Sequence, residues 1–262
     1  MNGGHEIGDF ENVVEHFIME TYDVKNCAKE DNGKERTVKN KYSKIDGQTF
    51  VCLDGKMIVK RDHEYLNPEV EYGEMVDWGD REPYKTVTID GQTWMAENLN
   101  FDYKVGGSIY GTYTDPGNSE AYGRHYTWAA AMDSAGIYSD NSKGCGNDVT
   151  RCSPTYPVQG ICPVGWHLPS GDEWRKLYSA MGSSPYAMQA KGVANWRDAT
   201  DAYGFSAIPA DGYGYGNFYD VGFWSATESS YDDAYFWRLD GSTARLSSNR
   251  KYYGYSVRCV KD

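Results

Sequence analysis

Hydrophobic and polar positions change period along this chain, and those changes mark its elements. In "CPVGWHLPSGDEWRKLY", Cys162 to Tyr178, the residues Val164, Trp166 and Leu168 alternate with Gly165 and His167 between two prolines, the pattern of a half-buried strand. The period then becomes helical. Trp174, Leu177, Tyr178 and Met181 recur on one face, and Gly182 follows as a stop. Ser170 stands three residues before Glu173, the spacing of a reciprocal N-terminal cap, and Asp172 and Glu173 place anions where the helix dipole favours them. These patterns make Trp174 a core anchor and His167 a strand residue rather than a ligand or base.

Elsewhere the same reading predicts short elements between turn signals. Val13, Val14, Phe17 and Ile18 form the apolar face of a short helix within a polar lead over residues 1–22. From Cys27 to Lys60 alternating residues flank Asn32-Gly33, Asp46-Gly47 and Asp54-Gly55, which predicts a small β module over residues 23–60. Residues 61–83 are charged, contain Pro68 and Pro83, and read as a linker that overlaps the start of the next domain, residues 72–262. "IDGQTF" at Ile45 recurs as "IDGQTW" at Ile89, which we read as two hairpins with the same turn chemistry. Arg124 to Met132 is a second helix candidate, lined by Tyr126, Ala129, Ala130 and Met132. Beyond the Trp174 helix, glycine-separated strands follow, "VGFWSATES", "AYFWRLD" and "TARLSS" among them, and "GYSVRCVKD" closes the chain.

Composition narrows the class. The 262 residues include 23 Tyr and 29 Gly with 24% charged residues, which points to loop-rich β structure with a tyrosine-rich surface. A formal net charge of −12 without a basic stripe argues against nucleic acid. No apolar run is long enough for a membrane helix, and Met1 is not followed by a signal peptide, so a mature exported segment with an added Met is expected. Cys27, Cys52, Cys145, Cys152, Cys162 and Cys259 are even in number and none has the close pairing of a zinc site, so disulfides are expected. Cys27 with Cys52 would staple the small module, and Cys145 with Cys152 would restrict a Gly-rich loop, although the residues alone leave every pairing open.

Six blocks in order carry a resemblance: "TVTIDGQTWMAENLN", "GRHYTWAAAM", "GICPVGWHLPSGDEWRKL", "DAYGFSAIPADGY", "GFWSATESS" with "AYFWRL", and "GYSVRCVKD". Together, from about Tyr72 to Asp262, they resemble the Fibrobacter succinogenes major paralogous domain. The Cys27 to Lys60 text resembles small Cys-paired modules that precede this domain in its relatives. That family is similar to the C-type-lectin-like fold, shared with formylglycine-generating-enzyme domains, whose "RLP-T-EAEW" motif resembles "HLPSGDEW" here. The resemblance implies an α+β fold with short antiparallel strands, two helices and long irregular loops, and a bridge from Cys162 to Cys259 in the terminal strand.

The scaffold serves binders and enzymes alike, so function is sought in particular residues. Formylglycine chemistry resembles this chain only in scaffold, since it needs a free cysteine pair with copper, and no Ser/His/Asp set, HExxH, P-loop or dinucleotide fingerprint is present. We therefore expect no catalysis, with an enzyme on a formylglycine-generating-enzyme-like scaffold as an alternative. Trp94, Trp128, Trp166, Trp174, Trp224, Phe236 and Trp237 are expected to pack, which leaves the C-terminal loops for binding. Those loops concentrate Tyr213, Tyr215, Tyr219, Tyr231, Asp232, Asp233, Asn249, Arg250, Tyr252 and Tyr253, the mix of flat aromatic faces and short polar groups that binds sugars and that antibody loops use. The expectation is a secreted or cell-surface adhesion protein that recognises a polysaccharide or another cell-surface ligand. An alternative is a module for protein ligands or a diversified surface-display module, because adenine-directed diversification leaves the same residues in such loops. No cofactor is expected; calcium is considered only for Asp232 and Asp233, since Glu-Pro-Asn and Trp-Asn-Asp motifs are absent.

Overall fold

The computed structural model describes residues 18–43, 45–61, 63–79, 81–103, 112–114, 119–146, 151–193, 196–210 and 220–262. The strands in chain order are β1 (Glu35–Thr37), β2 (Thr49–Leu53), β3 (Lys56–Val59), β4 (Gly73–Asp77), β5 (Glu82–Ile89), β6 (Gln92–Met95), β7 (Thr112–Thr114), β8 (Arg124–Tyr126), β9 (Trp166–His167), β10 (Asp220–Glu228), β11 (Asp233–Asp240), β12 (Ala244–Arg250) and β13 (Val260–Lys261). Short helices join them, so the class is α+β. Among the described residues no helix is long and apolar enough to cross a membrane.

The chain divides into two compact units, residues 1–61 with 76–83, and residues 62–75 with 84–262. The stretch 61–83, expected as a linker, is divided between them, and its described residues include β4 and the start of β5. Leu66 and Asn67 are buried because apolar and hydrogen-bonding partners reach them from far along the chain, which charge and proline content cannot reveal.

In the smaller unit β1, β2 and β3 form an antiparallel meander, with Glu35 opposite Val51 and Cys52 opposite Met57. Cys27 is bridged to Cys52, and Val24, Val38, Phe50 and Met57 fill the small core. Ile18 is buried there and residues 18–21 are helical; Val13, Val14 and Phe17 of the predicted helix lie outside the described residues. The Arg81 guanidinium donates to the carbonyls of Val24 and Lys25 at 3.2 and 3.1 Å, fastening the 76–83 segment to this unit.

In the larger unit the central sheet has the order β4-β5-β6-β13-β9, and the pairs β5–β6, β6–β13 and β13–β9 are antiparallel. Asp90 and Gly91, both at positive φ, make the two-residue turn between β5 and β6 that Asp-Gly chemistry favours. Its echo at Asp46-Gly47 is different: it ends the longer 38–48 connection between β1 and β2, so the repeated text does not encode the same hairpin. The Gly171–Ala180 helix carries the predicted reciprocal cap, Ser170 Oγ accepting from Glu173 N at 3.3 Å and Glu173 accepting from Ser170 N at 2.8 Å. Arg124 to Met132 is not one helix. Its first three residues form β8 against β7, and Thr127, in extended conformation, caps a helix only from Trp128 to Ala131, because Tyr126 is held as a strand by reciprocal bonds with Tyr255.

Packing follows the tryptophans. Trp174 lies 5.0 Å from Trp94 and stacks on Trp237 at 6.1 Å and 9°, with Phe205 and Phe223 around it. Trp128, Trp224 and Phe236 fill a second cluster, where the indoles of Trp128 and Trp224 donate to the carbonyls of Ser225 and Tyr126 at 2.8 and 2.6 Å. All seven aromatics assigned to packing are buried. The bridges Cys145–Cys152 and Cys162–Cys259 are both formed, the latter beside β13, whose Val260 pairs with Trp94 and His167.

Candidate ligand-binding face

A separate three-stranded antiparallel sheet, β10-β11-β12, presents the candidate residues at one end. Phe223 pairs with Trp237 and Trp224 with Phe236, and all four are buried, so both faces of β10 and β11 are covered here. Beyond β12 the chain folds back over the sheet at Tyr255, whose ring stacks on Phe236 at 4.2 Å and 10°. Glycine at 222 is required by this approach, since a Cβ there would lie 2.3 Å from the Tyr255 ring. Burial pushes the Tyr255 phenol up to about 12 despite a 2.7 Å hydrogen bond from Asn249 Nδ2.

Between β12 and that return stands Lys251, whose side chain is fully buried. Its ammonium donates to Glu228 Oε1 at 2.5 Å and to the Tyr231 carbonyl at 2.7 Å, and lies 4.8 Å from the centre of the Trp128 ring. A longer contact of 3.4 Å reaches the carbonyl of Gly146 in the Cys145–Cys152 loop. Glu228 in turn accepts from the backbone N–H of Cys152 at 3.1 Å. The backbone of Lys251 accepts from Trp128 N and donates to Asp232 O. One buried cation therefore ties the β10–β11 turn, the disulfide loop and the Trp128 helix together, and its two neighbours in sequence are candidate binding residues.

The structure brings Tyr231, Asp232, Asp233, Asn249, Arg250, Tyr252 and Tyr253 to this end of the sheet. Tyr231 and Tyr252 are 44% and 54% exposed, and Tyr252 stacks on Tyr253 at 5.0 Å and 27°. Arg250 bonds Asp232 at 2.7 Å and lies 3.6 Å from Asp233, so both carboxylates already face a cation. Asn249 is committed to Tyr255 and to the Arg250 N–H. Tyr213, Tyr215 and Tyr219 lie outside the described residues. The first described residue after them, Asp220, pairs with Asp240 at the far end of β10, roughly 25 Å of strand from the turn that carries Tyr231. Among the described residues no group of three or more His, Cys, Asp or Glu is arranged to hold a metal ion.

The sequence model of the Fibrobacter succinogenes major domain matches residues 87–261. The chain belongs to the Fibrobacter succinogenes major domain family. No curated protein and no solved structure matches it. The family span begins inside β5 and contains every described residue of the candidate face, whereas the Cys27–Cys52 module precedes it.

Sequence reasoning missed Lys251 and Glu228, because a lysine between arginine and two tyrosines reads as solvated and nothing local signals burial. It also missed Tyr156, half exposed, whose phenol donates to the Ala226 carbonyl at 3.2 Å. The only cue was an aromatic residue inside a Pro- and Ser-rich loop.

Proposed function

We propose that this member of the Fibrobacter succinogenes major domain family is a non-catalytic binding protein of an oxidising, extracytoplasmic compartment, where it recognises a carbohydrate. The observation that carries the reading is the exposed tyrosine set, Tyr231 with the stacked pair Tyr252 and Tyr253, held in place by a fully buried lysine. Flat phenol rings offer stacking faces to the C–H side of a sugar with little rotamer entropy to lose, and rigid presentation lowers the cost of binding. Three disulfides support the compartment. All six cysteines are bridged, which leaves none for copper-thiolate chemistry of the formylglycine type. Calcium is not part of the proposal, because Arg250 already supplies the positive charge beside Asp232 and Asp233. A C-type-lectin-like arrangement of the larger unit is supported by the terminal strand β13 lying beside β6, the Gly171–Ala180 helix packed by Trp174 into the core, and the Cys162–Cys259 bridge.

Pull-down on a panel of insoluble polysaccharides, with and without calcium, tests the reading. Tyr231→Ala with Tyr252→Ala should abolish retention while melting changes by no more than about 0.5 kcal/mol equivalent, as for other surface substitutions. Retention equal to wild type places the site elsewhere, and retention of no polysaccharide by the wild type refutes the carbohydrate reading.

A further inference from the structure

We propose that a cleft beside β5 in the larger unit is a second binding site, independent of the tyrosine face, for an uncharged saccharide. The cleft has a volume of about 420 Å³, inside the range of roughly 300–1,000 Å³ typical of small-ligand sites. Its walls come from three stretches far apart in sequence: Glu71, Tyr72 and Gly73 before and at the start of β4, Thr86 and Thr88 on β5, and Tyr203 from the loop after Asp201. Val70 adds apolar surface beside them.

A buried hydrogen-bond network fixes the walls. Asn67 Nδ2 donates to the Asp201 carbonyl at 2.9 Å. Ser206 donates through Oγ and N to the two Asp201 carboxylate oxygens at 2.7 and 2.8 Å. With the Ser206 proton so used, the 2.9 Å contact between Tyr72 and Ser206 must run from the phenol to the serine oxygen. The Asn67 N–H donates to the same phenol at 3.2 Å. Burial raises the pKa of both Tyr72 and Asp201 above its ordinary value, consistent with a dry network behind the cleft. Gly204, at φ +70°, closes the joint; a Cβ there would come within 2.6 Å of Val70 and 2.8 Å of the Tyr72 oxygen. Beneath it the fully buried Arg258 donates to the carbonyls of Phe205 and Ser206. The 67–73 and 201–206 segments therefore meet in one fixed geometry, and a ligand finds the cleft already formed.

The chemistry of the lining selects the ligand. Tyr72 has its hydroxyl occupied and offers the cleft only its ring. Tyr203 is 40% exposed, an aromatic face open to solvent. Thr88 shares its hydroxyl with Thr93 at 3.0 Å and keeps acceptor capacity, and Glu71 adds an exposed carboxylate that accepts paired hydroxyl hydrogens. Among the described residues no Lys, Arg or His lines the cleft, so phosphates and uronates find no counter-charge there in a chain of net charge −12. One carboxylate falls short of the oxygen ligands that a calcium ion collects, and the interleaved hydroxyls do not suit a lipid chain. What remains complementary is a ring with one apolar C–H face and a rim of neutral hydroxyls.

The test titrates the full chain with cellotetraose, xylotetraose, mannotetraose and a β-1,4-galactan tetrasaccharide, by calorimetry and saturation-transfer NMR. At least one should bind saturably. Tyr203→Ala should weaken that binding at least tenfold, equivalent to about 1.4 kcal/mol, and Glu71→Gln at least threefold, with unchanged thermal unfolding. Tyr203→Phe, which keeps the ring, should stay within twofold of wild type. The same losses are expected in a Tyr252→Ala background, which separates this site from the tyrosine face. Binding to none of the four overturns the proposal. So does binding abolished by Tyr252→Ala yet unaffected by Tyr203→Ala, a result that would support the tyrosine face alone. Competition by tetralysine or by an oligoglucuronate would show that charge, not a neutral polyol, is what the cleft reads.

Discussion

Replacing Lys251 by methionine removes a charge but keeps most of the side-chain length that packs over Trp128. It leaves the Glu228 carboxylate, 13% exposed, with the Cys152 N–H as its remaining near partner among the contacts described above, and leaves the Tyr231 carbonyl without the ammonium. Breaking a buried ion pair from one side costs about 3–5 kcal/mol. The lost 3.4 Å contact to Gly146 adds little at that length. Because Glu228 retains some access to water, the lower end applies, and about 3 kcal/mol corresponds to a fall in Tm of roughly 6–12 °C for a unit of this size. Glu228→Gln alone, which strands the ammonium, should cost a similar amount. The double variant removes both charges and should cost only about 1–2 kcal/mol, so the cycle should return a coupling of at least 2 kcal/mol. Urea unfolding under non-reducing conditions, followed by tryptophan fluorescence, measures all four corners. Additive single effects, or a Lys251→Met cost below about 1 kcal/mol, would refute the idea that this pair anchors the Tyr231 and Tyr252 loops.

Four further outcomes are expected. Burial pushes the His167 imidazole down, but its hydrogen bonds to Glu173 and Asp262, at 2.9 and 2.7 Å, outweigh this and raise its pKa above 6.5; its stabilisation is therefore complete below pH 6.5 and lost as pH rises through the raised value, so the alkaline decline in Tm should flatten in His167→Gln. Glu173, which burial would push up but which His167 and Ser170 hold at about 2, stabilises above its ordinary 4.5 and should lose that contribution as pH falls towards 2, a decline that Glu173→Gln removes from the same melting series. The Cys162–Cys259 bridge spans 97 residues and Cys145–Cys152 only 7, so in the chain-entropy account paired serine substitutions should cost about 4.7 and about 2.5 kcal/mol respectively by denaturant unfolding; the reverse order would mean that the short bridge is coupled to more structure than its own loop. A fragment starting at residue 72 should melt well below one starting at residue 62, because His63 and Tyr65 both bond the fully buried Glu97 carboxylate at 3.0 Å and Asn67 bonds Asp201; equal Tm values by calorimetry would show that segment to be dispensable.

The two levels of organisation divide along the range of the forces involved. What the sequence determined by itself lies within a few residues of its cause. The Ser170–Glu173 cap, the Asp90-Gly91 hairpin and the strands that carry Trp224 and Trp237 depend on backbone conformation and local side-chain type, which neighbouring residues dictate. Trp94, Trp128, Trp166, Trp174, Trp224 and Trp237 could be assigned to the core because burying so large an apolar surface is strongly favourable, whereas Trp78, 51% exposed, shows that tertiary context still decides each case. Tertiary structure decided the fate of polar groups, since a buried lysine, arginine or glutamate is tolerated only where partners converge, and those partners are distant in sequence. Lys251 meets Gly146 across 105 residues, Arg258 meets Asn98 across 160, and Asn67 meets Asp201 across 134. Arg124 to Tyr126 has a pattern that suits a helix, yet pairing with β7 and Tyr255 makes it a strand, because the backbone bonds offered by those neighbours outweigh a weak local preference. The cleft between Tyr72 and Tyr203 is likewise invisible in the sequence, for it exists only where a long-range hydrogen-bond network brings two loops against a strand.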